Sequence, residues 1–116
     1  MRQREIPRKW PLQQVLATAR AVLAGEIGIV EGCIALASYS DDIVLDWARD
    51  PDFLIFGVIA SDTDHLPFGD VRKHWGTGAL ARADSEIRII VERESANVRA
   101  ACEHVLVRCD GVETFP

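Results

Sequence analysis

The 116-residue sequence contains no apolar run of the roughly 18 residues that a helix needs to cross a bilayer. Its basic start, which includes Arg2 and Arg4, is not followed by the uninterrupted apolar segment of a secretory signal. These two absences predict a cytoplasmic protein that neither spans nor binds a membrane. The length suits one domain, with residues 1–9 as a charged, weakly ordered tail and residues 10–116 as a single helical domain.

Cysteine is sparse, and its spacing matches neither a disulfide framework nor a metal site. The three cysteines are Cys33, Cys102 and Cys109. If Cys102 and Cys109 share a helix, seven residues separate their Cα atoms by about 10 Å, which is too far for a disulfide. We therefore expect reduced, buried thiols that pack as small apolar side chains.

Basic residues are outnumbered, with 13 lysines and arginines against 18 acidic residues and a net charge of −5. Residues 41–70 alone contain eight aspartates and a single arginine, Arg49, whereas residues 1–10 are locally basic. An acidic middle of this density disfavours nucleic-acid binding, because phosphates must be neutralised by Lys and Arg. It favours a basic protein partner or a cation, with a merely solubilising surface as the ordinary alternative.

Catalytic signatures are also missing. The only local pair of nucleophile and base is Ser61 with His65, and no glycine-rich elbow accompanies it. Gly76 and Gly78 alone are too short a signal for a phosphate-binding loop. The sequence favours a non-catalytic protein over an enzyme, and it assigns no catalytic residue and no cofactor.

Metal sites have little support. A di-iron bundle needs a glutamate three residues before a histidine on two helices, but Glu31 and Glu94 are followed at that distance by other residue types. A mononuclear site formed by residues 62–65 with Glu31 stays open as an alternative, although such short acidic patterns occur often at helix ends. No metal ligand is assigned.

Apolar residues recur at helical spacing along most of the chain, which predicts an all-α fold. The expected architecture is a compact bundle of four main helices plus one or two short ones, with a long ordered loop at about 61–78. Helices are expected from Pro11 to Gly25, over 26–39, from the Ser40-Asp41-Asp42 cap to Arg49, from the Asp50-Pro51-Asp52 cap over 53–60, in one turn at 70–75, and from Asp84 to Arg108. Gly28 and Gly32 would let a neighbouring helix approach closely.

The polar cluster that follows the apolar run 53–60 is the most informative local feature. Long loops inside compact domains are often functional, and this one carries Asp62, Asp64 and His65. His65 is expected to donate a hydrogen bond to a carboxylate or carbonyl and so fix the loop. Arg72 and Trp75 lie three residues apart and could stack on each other.

Two carboxylates, Glu31 and Glu94, fall inside apolar stripes of the predicted helices. A carboxylate that faces a core needs a partner, because an unpaired buried charge is very costly. The expected partners are Arg20, Arg72, His65 or His74. Three alternatives stay open: a buried ion pair holds the loop to the bundle, one of these acids faces a ligand at a pocket mouth, or the helical phase differs and both carboxylates are solvated.

Segments around Ile29–Cys33, Asp50–Phe53 and Asp62–Gly69, together with Arg72 and Trp75, resemble a family of small bacterial all-helical proteins. The resemblance covers roughly residues 15–108. It implies a helical fold and carries no activity over to this chain.

We therefore expect a cytoplasmic helical module that binds a basic protein partner through its acidic surface, for example an immunity-type inhibitor. A rival hypothesis is a small-molecule or metal-binding protein, or an enzyme, that uses the loop at 61–75. A third is a homodimer built on bundle faces too apolar to remain exposed. The candidate binding residues are Glu31, Asp62, Asp64, His65, Arg72, Trp75 and Glu94.

Overall fold

The structure is a computed structural model that describes residues 9–43 and 50–109. Within them the chain forms α1 (Lys9–Leu23), α2 (Ile29–Ile43), α3 (Phe53–Asp62), a 3-10 helix (Gly69–His74) and α4 (Thr77–Cys109). No strand occurs in these two ranges. The all-α prediction is confirmed. The predicted tail, apart from Lys9, lies outside the described residues.

The corner between α1 and α2 is closed by a left-handed glycine. Gly25 has φ 76°, and the Glu26 N–H donates to the Ala21 carbonyl at 2.9 Å. This longer-range hydrogen bond is typical of a helix C-terminus that ends on glycine. From α4, Arg99 donates to the carbonyl of Leu23 at 3.2 Å and so satisfies another terminal group. The predicted helix end at Gly25 is confirmed.

Gly32 permits the close packing of α2 on α1. A Cβ atom at this position would overlap a methyl group of Val22, so only glycine fits without movement. The prediction of a close approach is confirmed here. At Gly28 the space is occupied by the side chain of Glu31 instead of a neighbouring helix, so that half of the prediction is wrong.

The boundaries predicted for α2 are wrong at both ends. The helix begins at Ile29 instead of Glu26. It then continues through Ser40-Asp41-Asp42 to Ile43, although these residues had been interpreted as the cap of a new helix. No glycine or proline interrupts this stretch, so the backbone has no reason to stop there. The rest of the predicted third helix, residues 44–49, lies outside the described residues.

The start of α3 follows the predicted pattern. Asp50 Oδ1 accepts hydrogen bonds from the N–H groups of Asp52 at 3.0 Å and Phe53 at 3.2 Å. The Leu54 N–H donates to the Asp50 carbonyl at 3.0 Å, so helical hydrogen bonding already begins at Asp50. Asp50 thus acts as the N-cap and satisfies two otherwise unpaired donors. At the other end, buried Thr63 donates its hydroxyl to the Ile59 carbonyl.

The final helix begins seven residues earlier than predicted, at Thr77 instead of Asp84. Gly76 accepts the first helical hydrogen bond, from the Leu80 N–H at 2.9 Å. Residues 79–83 are good helix formers, and they propagate the helix despite Gly78. The predicted loop at 61–78 is therefore shorter, extending from residue 63 to residue 76, and its single predicted turn is the 3-10 helix.

Helices α3 and α4 run antiparallel, because Asp52 contacts His104 while His65, further along the chain, contacts Glu86. Helix α1 packs against α2 and α4, and α3 packs chiefly against α2 with a smaller contact to α4. The most deeply buried large side chains are Val15, Val22, Val30, Leu36, Phe53, Phe56, Val98 and Val105. Helix α3 therefore lies at the edge of the bundle, with part of its surface uncovered.

Candidate functional site

The loop predicted as a site is held to α4 by a hydrogen bond from His65 and an ion pair of Arg72. His65 Nε2 lies 2.7 Å from Glu86 Oε2, and both side chains are about half exposed. Arg72 contacts both carboxylate oxygens of Asp84, at 2.9 and 3.0 Å. Because Arg72 donates hydrogen bonds to it, the pKa of Asp84 lies below its usual value. The interpretation of His65 as a residue that fixes the loop agrees with this contact.

The predicted stacking of Arg72 on Trp75 is not found among the described residues. The guanidinium of Arg72 is instead held by Asp84 and by the carbonyl of Pro67, at 3.2 Å. The chain leaves the 3-10 helix at Trp75 with extended backbone angles, so the indole does not stay on the same helical turn. Trp75 is exposed beside the loop.

The two glutamates expected to face the core do not do so. Glu31 is exposed in the first turn of α2, where a carboxylate suits the positive end of the helix. Glu94 is partly exposed and accepts hydrogen bonds from Asn97 at 3.3 Å and Arg93 at 3.0 Å, which lower its pKa. For Glu31 the predicted helical phase is wrong because α2 begins only at Ile29, so that residues 26–28 lie in the α1–α2 corner.

Within residues 9–43 and 50–109, the contacts of the predicted site residues do not bring all seven together. Asp62 and Asp64 are exposed at the C-terminal end of α3, and their side chains have no hydrogen-bond or ion-pair partner among the described residues. Glu94 belongs to a different segment, where it pairs with its own neighbours on α4. What the seven residues share is a surface position and not a pocket.

A charged cluster that the sequence did not predict lies at the opposite end of α3. Arg108 contacts both oxygens of Asp50, at 2.8 and 2.9 Å, and Oδ2 of Asp52 at 2.9 Å. Burial acts to raise the pKa of Asp50, but hydrogen bonds from Arg108 and from two backbone N–H groups outweigh it and leave the pKa below its usual value. This cluster ties the start of α3 to the end of α4.

His104 extends the cluster to the surface. Its Nδ1 lies 3.2 Å from Asp52 Oδ1, and the ring is largely exposed. Because a carboxylate only accepts hydrogen bonds, Nδ1 is the donor in this contact, and Nε2 takes no part in it. The sequence carried one signal for this arrangement: His104 and Arg108 are four residues apart and so share one face of α4.

A shallow groove begins beside His104, between α3 and α4. Its volume is about 550 Å³, and it opens widely to solvent. The lining residues are Pro51, Asp52, Ile55, Asn97, Ala100, Ala101 and His104. On the α4 side the groove is lined by the short side chains of Ala100 and Ala101. The groove therefore has an apolar floor with polar groups at its margins.

The outer surface of α3 continues this apolar surface. Leu54 is 41% exposed and Val58 is 47% exposed, although α3 is the most apolar helix of the chain. Pro51, Ile55, Val58 and Asp62 are spaced at i, i+4, i+7 and i+11, so they form one ridge along the helix. We call this ridge, with Asn97, Ala100 and His104 opposite it, the α3–α4 face.

The cysteine thiols are buried, and burial raises the pKa of Cys33 to about 12. Burial likewise raises the pKa of Cys102 and Cys109 to about 11. In the described part of the chain, no three His, Cys, Asp or Glu side chains are grouped so that they could hold a metal ion. None of its helices is both long and apolar enough to span a bilayer.

In comparisons with known proteins, no protein-family model, no curated protein and no solved structure matched the chain. The geometry of the α3–α4 face and of the loop is therefore the basis for a proposed function.

Proposed function

We propose that the protein is a non-catalytic helical module that binds another protein through the α3–α4 face. The observation that supports this most strongly is the position of α3, which is apolar around its circumference and yet lies at the edge of the bundle. An edge helix normally turns polar side chains outward. Here Leu54 and Val58 are turned outward instead, beside an apolar groove.

The apolar area that this face exposes to water has an energetic consequence. Each square ångström of apolar surface left in water forgoes about 25 cal/mol. The exposed surfaces of Val58 on the ridge and of Leu54 beside it therefore represent stabilisation that a partner could supply. Exposed apolar patches with polar margins are typical of protein-interaction sites. Asn97 and His104 provide such a margin on the α4 side of the groove.

The test compares two matched substitutions in affinity purification from cells that produce the protein. Val58→Asp places a charge in the proposed contact surface, whereas Ile89→Asp places the same charge on another exposed position, 60% accessible, in α4. We expect a specific partner to be recovered with the wild type and with Ile89→Asp but not with Val58→Asp. Equal recovery with both variants, or no recovered partner, would contradict the proposal.

A second candidate function is favoured by the groove itself, whose volume of about 550 Å³ lies within the range of small-molecule sites. On this alternative, His104 Nε2 and the Asn97 amide would orient a mostly apolar ligand over Ala100 and Ala101. A fragment screen by NMR would then give shifts confined to these residues. Weak hits scattered over the whole surface would count against it.

An immunity-type inhibitor is a narrower form of the proposed function, in which the partner is a basic protein that the module occludes. The described residues carry more exposed acidic than basic charge at the end of α3, where Asp62 and Asp64 lie. A homodimer is the remaining form. Sedimentation of the purified protein at several concentrations separates the two, since only self-association depends on the protein's own concentration.

A further inference from the structure

We infer that the occupant of the α3–α4 face is a short amphipathic helix of a partner protein, basic at its N-terminal end and antiparallel to α3. This inference rests on the proposed function and specifies its partner. It is drawn from the size of the face, the shape of the groove floor and the distribution of charge along α3.

The face is small, so it fits a short helical segment of a partner better than the broad surface of a globular protein. The ridge from Pro51 to Asp62 spans eleven residues, which at 1.5 Å per residue is about 16 Å, or three helical turns. A stable interface between two globular proteins buries about 800 Å² on each partner. Only two large side chains, Leu54 and Val58, are strongly exposed along α3. A partner helix that presents apolar side chains at i, i+3, i+4 and i+7 matches this surface.

The groove floor allows the backbone of such a helix to come close. Ala100 and Ala101 project only methyl groups from α4, and Ile55 forms the facing wall on α3. A large side chain of the incoming helix can therefore insert between the two helices. This is the way in which ridges of one helix pack into the grooves of others.

The two ends of the face differ in charge, and the difference gives the orientation. At the start of α3, the guanidinium of Arg108 pairs with both Asp50 and Asp52 and offsets part of their charge, and Asp52 also contacts His104. At the other end Asp62 and Asp64 are exposed, without side-chain partners among the described residues. The C-terminus of α3 adds its own partial negative charge there.

Binding of a partner helix is therefore most favourable in one orientation. Its positive N-terminus, with lysine or arginine in the first turn, then lies beside Asp62 and Asp64. Its C-terminal end then lies beside His104, whose ring can donate or accept a hydrogen bond according to its protonation. In the middle of α4, Arg93 is paired with Glu94.

The test is a selection from a display library of amphipathic helical peptides of about 14 residues, long enough for three turns with frayed ends. The apolar stripe is held constant and the charges at both ends are randomised. We expect selected peptides to be enriched in lysine and arginine in the first turn. Their Kd should rise about tenfold or more on the double variant Asp62→Asn/Asp64→Asn, which removes two interacting charges.

Two further variants locate the peptide. Ala100→Arg fills the groove and should also raise the Kd about tenfold or more, while Glu92→Gln, an exposed position on the same helix, should leave it unchanged. Enrichment of acidic or uncharged first turns overturns the inference. So does equal binding to the double variant, or the absence of peptides that are sensitive to Ala100→Arg. If affinity purification still gives a partner that Val58→Asp abolishes, the proposed function stands and only this inference fails.

Discussion

Replacement of Arg108 by leucine should destabilise the fold by removing the connection between the ends of α3 and α4. Arg108 makes three contacts of 2.8–2.9 Å with Asp50 and Asp52. The two aspartate side chains are only 10% and 12% exposed. Without the guanidinium, both carboxylates would remain mostly buried and without their cation. Breaking a fully buried pair costs roughly 3–5 kcal/mol.

The expected loss is smaller than that, because the Arg108 side chain is 36% exposed and water can partly replace it. We therefore expect the free energy of unfolding at pH 7 to fall by about 2–3 kcal/mol. Urea unfolding followed by circular dichroism measures this. The matched control is Arg93→Leu, which removes an exposed pair to Glu94 and should cost less than about 1 kcal/mol.

The pH dependence gives an independent check. The folded state holds the pKa of Asp50 below its usual value, so the stabilisation is present above the unfolded pKa of about 3.9. It is lost as the pH falls through the lower folded pKa. The gap in stability between wild type and Arg108→Leu should therefore narrow as the pH is lowered from about 5 towards 3. A loss below about 0.5 kcal/mol at pH 7, or a gap that does not change with pH, would refute the reasoning.

The remaining predictions concern packing and surface charge. Gly32→Ala should destabilise by about 1–2 kcal/mol in urea unfolding, because the new methyl overlaps α1, whereas Gly78→Ala, in the open first turn of α4, should stabilise slightly. Glu94→Ala and His65→Ala should each cost less than about 1 kcal/mol, since both pairs are solvent-accessible; a loss near 3 kcal/mol would mean that they are buried. The three cysteines should react with a thiol reagent at pH 8 only after unfolding, because burial raises their pKa.

Local capping chemistry was the most predictable part of the fold. The pattern Asp50-Pro51-Asp52 before an apolar run was sufficient to place α3 and its N-cap, because the hydrogen bonds involved connect residues two or three apart. Gly25 similarly marked the end of α1. Boundaries without glycine or proline were not predictable. At Ser40, the helix propensities of the residues neither favour nor oppose the helix strongly. Tertiary packing therefore decides whether the helix continues there.

The candidate site was the least predictable part, for a physical reason. The cluster at the start of α3 joins Asp52 to His104 and Arg108, which are 52 and 56 residues away along the chain. Periodicity indicates which face of a helix is apolar, but not which residue of another helix lies opposite. The prediction that Glu31 and Glu94 face the core failed for a different reason: a small error in helical phase moves a side chain from core to surface.

The central claim, that the α3–α4 face binds a partner protein, is tested most directly by photo-crosslinking in living cells. A photoreactive amino acid replaces Val58 in one variant and Ile89 in the other, two exposed positions on different helices. We predict a discrete crosslinked adduct with a different protein at position 58 and none at position 89. No adduct at position 58, or the same adduct at both positions, would contradict the claim.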